Sequence, residues 1–103
     1  MRFKARRDDN HKAMIETLRN LGISVADTAQ LGSGFPDCVC AYGFMTCLVE
    51  IKDGEKSPSE RKLTSDEEKF HKNWRGKIFI VESIDDCLKV RDWLMNIACR
   101  VRF

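Results

Sequence analysis

Asp37, Glu50 and Lys52 are the residues whose types and spacing could do chemistry. Asp37 ends the turn-rich run Gly32-Ser33-Gly34-Phe35-Pro36. Glu50 and Lys52 alternate in the strand-like run Leu48-Val49-Glu50-Ile51-Lys52, so they share one face. Residues 37–42 and 45–52 read as a hairpin around Gly43-Phe44, a pair suited to a type II′ turn, which takes Gly first. That turn sets Tyr42 opposite Met45 and Asp37 opposite Glu50, and directly opposed residues point to the same side. A turn one residue earlier sets Asp37 against Leu48 instead. The first register gathers Cys38, Cys40, Cys47, Val49 and Ile51 into a coherent apolar reverse face, and is preferred for that reason.

Two opposed carboxylates repel unless positive charge lies between them. A hard divalent cation meets that need, and Mg²⁺ takes one or two carboxylates with waters and substrate phosphate oxygens. Such an ion can polarise a phosphodiester and lower the pKa of a bound water. Lys52 can then orient that water or neutralise charge building on phosphorus. An isolated Glu-x-Lys on a strand is also a common surface ion pair worth little. Residue types alone leave both readings open.

The elements that must position this trio can be read from periodicity. Residues 10–21 form an expected helix with the stripe Met14, Ile15, Leu18 and Leu21, N-capping oxygens from Asp8, Asp9 and Asn10, and Gly22 as its stop. Residues 23–26 can form a short strand. Residues 53–62 are polar, with Gly54 and Pro58, and read as an exposed loop. Thr64-Ser65-Asp66-Glu67 matches a capping box and opens a helix to about Trp74, with Phe70 and Trp74 four apart on its inner face. Residues 77–82 read as a buried strand. Residues 83–86 cap a last helix whose stripe is Ile84, Cys87, Leu88, Arg91, Leu94 and Met95. The order helix, hairpin, helix, strand, helix (α-β-β-α-β-α) predicts an α/β fold, a small mixed sheet flanked by helices.

At 103 residues, 43% hydrophobic and 33% charged, the chain reads as one globular domain. Its expected parts are a basic segment 1–8, a core 9–97 and a basic tail 98–103. No apolar run approaches membrane-span length, and residues 1–7 lack the apolar stretch of a secretory signal, so a cytoplasmic location is expected. The net charge of +2 is small, but residues 1–12 hold five basic side chains against two acids. Such basic ends are compatible with phosphate contact or with plain solvated surface. The five cysteines, an odd count, are expected as free thiols in a reducing compartment and as small buried hydrophobes. A structural zinc finds no ligand cluster at the right spacing.

Gly34-Phe35-Pro36-Asp37 followed by Leu48-Val49-Glu50-Ile51-Lys52 resembles the Pro-Asp…Glu-x-Lys signature of PD-(D/E)xK nucleases, in particular the VRR-NUC branch with its small phage and prophage members. The run 63–71, then Trp74-Arg75-Gly76, resembles the segment such proteins carry after the active-site strand. The opening Asp8-Asp9-Asn10-His11 resembles their first helix, so the likeness spans about residues 8 to 86. It implies a restriction-endonuclease-like core and a Mg²⁺-dependent endonuclease, with Mn²⁺ substituting. Asp37, Glu50 and the Ile51 carbonyl would be metal ligands, and Lys52 the catalytic lysine. It also implies branched, flapped or Holliday-junction-like DNA as substrate and a homodimer as the working form. A non-catalytic nucleic-acid-binding module of the same fold is the alternative.

The family usually carries Gln where this chain has His11 and where it has Glu67 and Glu68, so these three are accessory candidates. Glu68 is either a further carboxylate or a solvated helix residue. His11 either approaches the site or packs at the helix end. Glu16 reads as solvent-facing and His71 as structural. Lys56, Arg61 and Lys62 in the loop after Lys52, with Arg6 and Arg7, are the candidate DNA contacts.

Overall fold

The computed structural model describes residues 10–100, with side chains through residue 96. The elements are α1 (His11–Asn20), β1 (Ser24–Asp27), β2 (Cys38–Tyr42), β3 (Met45–Ile51), a 3₁₀ turn (Pro58–Arg61), α2 (Ser65–Asn73), β4 (Ile78–Val81) and α3 (Ile84–Arg100). The sheet order is β1-β2-β3-β4, antiparallel through β3, with β4 parallel to β3 across the α2 crossover. The expected α/β class, a mixed four-stranded sheet flanked by helices, is what the chain adopts.

Two details differ from expectation. The short strand read at residues 23–26 forms at 24–27, outside the expected six-element order, as a sheet edge paired only to β2. Three of its four residues are exposed, so it carries little apolar signal. The tail expected from residue 98 begins inside α3, whose backbone is helical through Arg100. Asp8, Asp9, Arg6 and Arg7, with the rest of the basic segment 1–8, lie outside the described residues.

The hairpin register is the preferred one: Tyr42 faces Met45 and Cys38 faces Val49. Gly43 has φ 61°, whereas Phe44 has no positive φ, as a type II′ turn requires. The reverse face is buried as expected. Cys38, Cys40, Cys47, Val49 and Ile51, with Val81, meet Met14, Ile15 and Leu18 of α1 and Cys87, Val90 and Leu94 of α3. The α3 stripe is rotated from the expected one. Val90 is fully buried and Ile84 is 49% exposed, because Cys87, Val90 and Leu94 follow the i, i+3, i+7 line onto the sheet.

The other face is covered thinly. α2 lies over it without burying any residue of its own. Phe70 stacks on Trp74 (centroids 5.2 Å apart, 18° between planes) and meets Phe35 edge-on at 5.2 Å. The capping box holds α2's first turn: Thr64 Oγ1 accepts from Glu67 N at 3.2 Å, and Glu67 Oε1 accepts from Thr64 N at 2.8 Å. Asn10, expected as a cap, makes no capping bond. Its Nδ2 donates to the Lys52 carbonyl at 3.0 Å and ties the start of α1 to the end of β3.

Candidate active site

Asp37 stands one residue before β2, and the hairpin register extends to place it opposite Glu50. Its carbonyl accepts from Thr28 N at 2.8 Å, and its Oδ2 accepts from Ile51 N at 2.7 Å. The carboxylate thus closes the open end of the β2–β3 ladder by occupying the amide next to Glu50. Lys52 N donates to the Val81 carbonyl at 2.9 Å, so β4 and α1 both fasten the backbone at Lys52. Glu50 is 2% exposed and Lys52 8%. A carboxylate and an ammonium this deeply covered carry a desolvation cost that a surface ion pair does not.

α2 contributes two further groups. Lys52 Nζ donates to Glu67 Oε1 at 2.9 Å, the same oxygen that serves the capping box. One helix turn on, His71 Nε2 lies 3.6 Å from Glu50 Oε1. Neither of those two buried atoms has a hydrogen-bond partner. Burial, then the neighbouring Asp37 and Glu67 carboxylates, push Glu50 up to about 10 against the opposing pull of Lys52. Burial also acts to raise Glu67, but the Lys52 ammonium and the Thr64 N–H outweigh it and hold Glu67 below its usual value. Burial lowers His71, with Glu67 acting against that and Lys52 with it. Without a cation, burial and the adjoining carboxylates thus favour the protonated form of Glu50, the Lys52 ammonium favours ionised Glu67, and burial favours an uncharged His71.

Of the sequence candidates, Asp37, Glu50, Lys52 and Glu67 come together. Glu68 is exposed on α2, beside a second hollow lined by Ser65, Lys69 and Lys72. His11 is buried, but its Nε2 pairs with Asp27 Oδ2 at 3.2 Å on the cysteine side of the sheet, since Asp27 lies opposite Cys38. Glu16 faces solvent as expected. Arg61 pairs with Glu82 Oε2 at 3.1 Å and straps the loop to the end of β4. Lys62 is exposed and Lys56 half-buried. His71 is the site residue that sequence reasoning set aside. Its four-residue spacing from Glu67 was the signal, since i and i+4 share a helix face.

Among the described side chains the cysteines form no competing centre, and Cys99 lies outside them. Cys38, Cys40, Cys47 and Cys87 are free and buried. Hydrogen bonding to Cys38 and burial raise Cys40, bonding to Cys40 raises Cys47, and burial pushes Cys87 up to about 11. Thiols raised this way stay protonated and pack as small hydrophobes.

The donor set at Asp37 and Glu50 fits a hard dication. It offers carboxylate oxygens, one of them buried without a hydrogen-bond partner, on a group whose pKa is raised by burial and by neighbouring carboxylates. Among the described residues no three His, Cys, Asp or Glu side chains form a ready ligand cage. Mg²⁺ needs none, because water and phosphate oxygens complete its shell around one or two carboxylates. No protein-family model, no curated protein and no solved structure matches the chain.

Proposed function

We propose that this chain is a Mg²⁺-dependent endonuclease of the PD-(D/E)xK type, close in motif to the VRR-NUC branch. The observation that carries the reading is Glu50: a buried carboxyl group beside Asp37, with an unpartnered oxygen, at the position the motif gives to a metal ligand. Asp37, Glu50 and the Ile51 carbonyl would hold Mg²⁺ or Mn²⁺. Bound there, the ion supplies Lewis-acid polarisation of a phosphodiester and a more acidic water. Lys52, held by Glu67, presents fixed positive charge to the phosphoryl oxygens as charge builds on them. His71, uncharged at neutral pH beside Glu50, can take a proton displaced when that carboxylate ionises. Branched or flapped DNA as substrate, a homodimer and a cytoplasmic location follow from the resemblance and the sequence. No helix among the described residues is long and apolar enough to cross a membrane.

The test is incubation with labelled linear, flap and four-way DNA in Mg²⁺, Mn²⁺ or EDTA. Cutting is expected with either metal and not with EDTA, and Glu50→Ala should bind DNA yet lose cutting by at least about a thousandfold. Cutting that survives EDTA or Glu50→Ala overturns the reading. A non-catalytic DNA-binding module is the second reading, favoured by the engagement of Lys52 with Glu67. Binding without metal-dependent cutting by the unmodified chain selects it.

A further inference from the structure

On α2, Asp66 and Phe70, the residues just before Glu67 and His71, line a hollow of about 270 Å³ together with Ser33, Lys69, Asn73 and Trp74. Its walls are built by close approach. A Cβ at Gly34 would overlap the Asp66 carbonyl, so only glycine seats the 32–35 loop against the first turn of α2. A Cβ at Gly76 would come within 2.6 Å of Trp74 Nε1, so glycine also lets the indole fold back. Ser33, on the rim, is the one non-glycine among the described residues with positive φ, at 56°. Strain of that kind tends to collect at ligand sites. Trp74 is 45% exposed although Phe70 stacks against it, leaving aromatic surface open at the cavity. The Lys69 ammonium and the Asn73 amide supply a cation and a paired donor and acceptor at the same wall.

We infer that this hollow binds one unpaired nucleobase of the substrate strand, stacked on Trp74, while the neighbouring phosphodiester lies at Asp37 and Glu50. The volume falls below the ~300–1,000 Å³ of sites for drug-sized ligands and suits a single heterocycle. Stacking on an aromatic ring is tolerant of base identity, and Asn can add hydrogen bonds to a base edge. Lys69 meets the strand's negative charge. A base enclosed in duplex cannot enter without unstacking, so the hollow selects strands already unpaired, at a flap or a branch. The inference rests on the nuclease reading for the phosphodiester, but the base site has its own readout.

A single-stranded oligonucleotide carrying 2-aminopurine is titrated with the full chain in EDTA, where no metal-dependent cutting occurs. Stacking should quench the 2-aminopurine fluorescence. A natural oligonucleotide should compete, and an abasic oligonucleotide of equal length, with the same phosphates, should compete at least about fivefold less well. Trp74→Leu, which keeps apolar cover over Phe70, should bind about tenfold more weakly, and Trp74→Phe should bind nearly as the parent does. Equal competition by the abasic strand, or unchanged binding by Trp74→Leu, overturns the inference. The abasic competition decides on the unmodified chain even if Trp74→Leu fails to fold. Cutting in Mg²⁺ is scored on the same preparation. Cutting without base-dependent quenching removes the base site alone, and quenching without cutting removes the nuclease reading alone.

Discussion

The two faces of one sheet are built to opposite rules. Toward α1 and α3, alternate residues Cys38, Cys40, Cys47, Val49 and Ile51 meet helical side chains, each exposed by 2% or less. On the opposite face, the intervening residues of the same strands are Val39, Ala41, Thr46, Leu48 and Glu50, extended at the strand ends by Asp37 and Lys52, and α2 buries nothing of its own there. A period of two assigns neighbouring residues to these two environments. The dry face supplies cohesion, and that cohesion holds rigid a second face whose charged groups each carry a desolvation cost. The contrast teaches that stability and chemistry are separable here at single-residue spacing, which mutation can test.

The largest effect should come from placing wet-face chemistry on the dry face. Val49→Asp puts a carboxylate among buried thiols and aliphatic groups with no partner, beside a residue position where a carboxylate is already native. The uncompensated charge should cost several kcal/mol and leave the chain unfolded at 25 °C by circular dichroism. Leu94→Ala, a plain truncation on the same face, should cost about 2–5 kcal/mol in denaturant unfolding. If either variant folds as stably as the parent, the dry face is not what holds the sheet.

The next effect runs the other way. The folded value of Glu50 is raised above its ordinary 4.5 to about 10, so folding favours the protonated form. Its contribution is therefore fully present below about pH 4.5 and is lost as pH climbs toward 10. Without metal, this group should lower stability as pH rises through that window, by at most about 1.4 kcal/mol per pH unit. Glu50→Gln removes that slope and should be the more stable chain at pH 8. Mg²⁺ should stabilise the parent increasingly as pH rises and leave Glu50→Gln unmoved. Thermal melts with and without Mg²⁺ at pH 6, 7 and 8 check both halves. A pH-independent response to Mg²⁺ would separate the ion from Glu50.

Much of this contrast was legible in the residues. The turn at Gly43-Phe44 and the alternation of cysteine and aliphatic residues with Glu50 and Lys52 are local signals, and local signals set the register. What was not legible is non-local. Arg61 meets Glu82 across 21 residues, a pairing that no local signal announces. Asn10 looked like a cap because capping residues are defined by neighbours in sequence, yet its amide is used by the Lys52 carbonyl. His11 took the packed alternative at the helix end, whereas His71, expected as structural, lies beside Glu50. A helix presents several faces, and only the packing of α1 and α2 on opposite sides of the sheet decides which histidine meets the carboxylates.

Breaking the strap should have a smaller effect. The Arg61–Glu82 pair is roughly a third exposed on each side, so screening limits it. Arg61→Ala should cost about 0.2–1 kcal/mol in global stability, while tryptic cutting at Lys56 or Lys62 becomes faster as the loop is released. Unchanged proteolysis would mean that the loop is held by something other than Arg61.

The subtlest test is Glu67→Gln, because it alters charge and keeps geometry. A glutamine Oε1 can still accept from Thr64 N and from Lys52 Nζ, so the capping box and the placement of Lys52 both survive. What disappears is one negative charge that now raises Glu50. Glu50 should then ionise at lower pH, and the acid side of the pH dependence of Mg²⁺ stabilisation should move down by less than about one unit, since burial and Asp37 still dominate. Glu67→Ala, in contrast, removes the capping-box acceptor and the partner of the buried Lys52 together, and should cost more than the ~1 kcal/mol of a lost cap alone. A downward shift in Glu67→Gln with parental stability would assign Glu67 an electrostatic part in the wet face, separable from its structural part. No shift, with stability lost, would make Glu67 a helix cap that happens to touch Lys52.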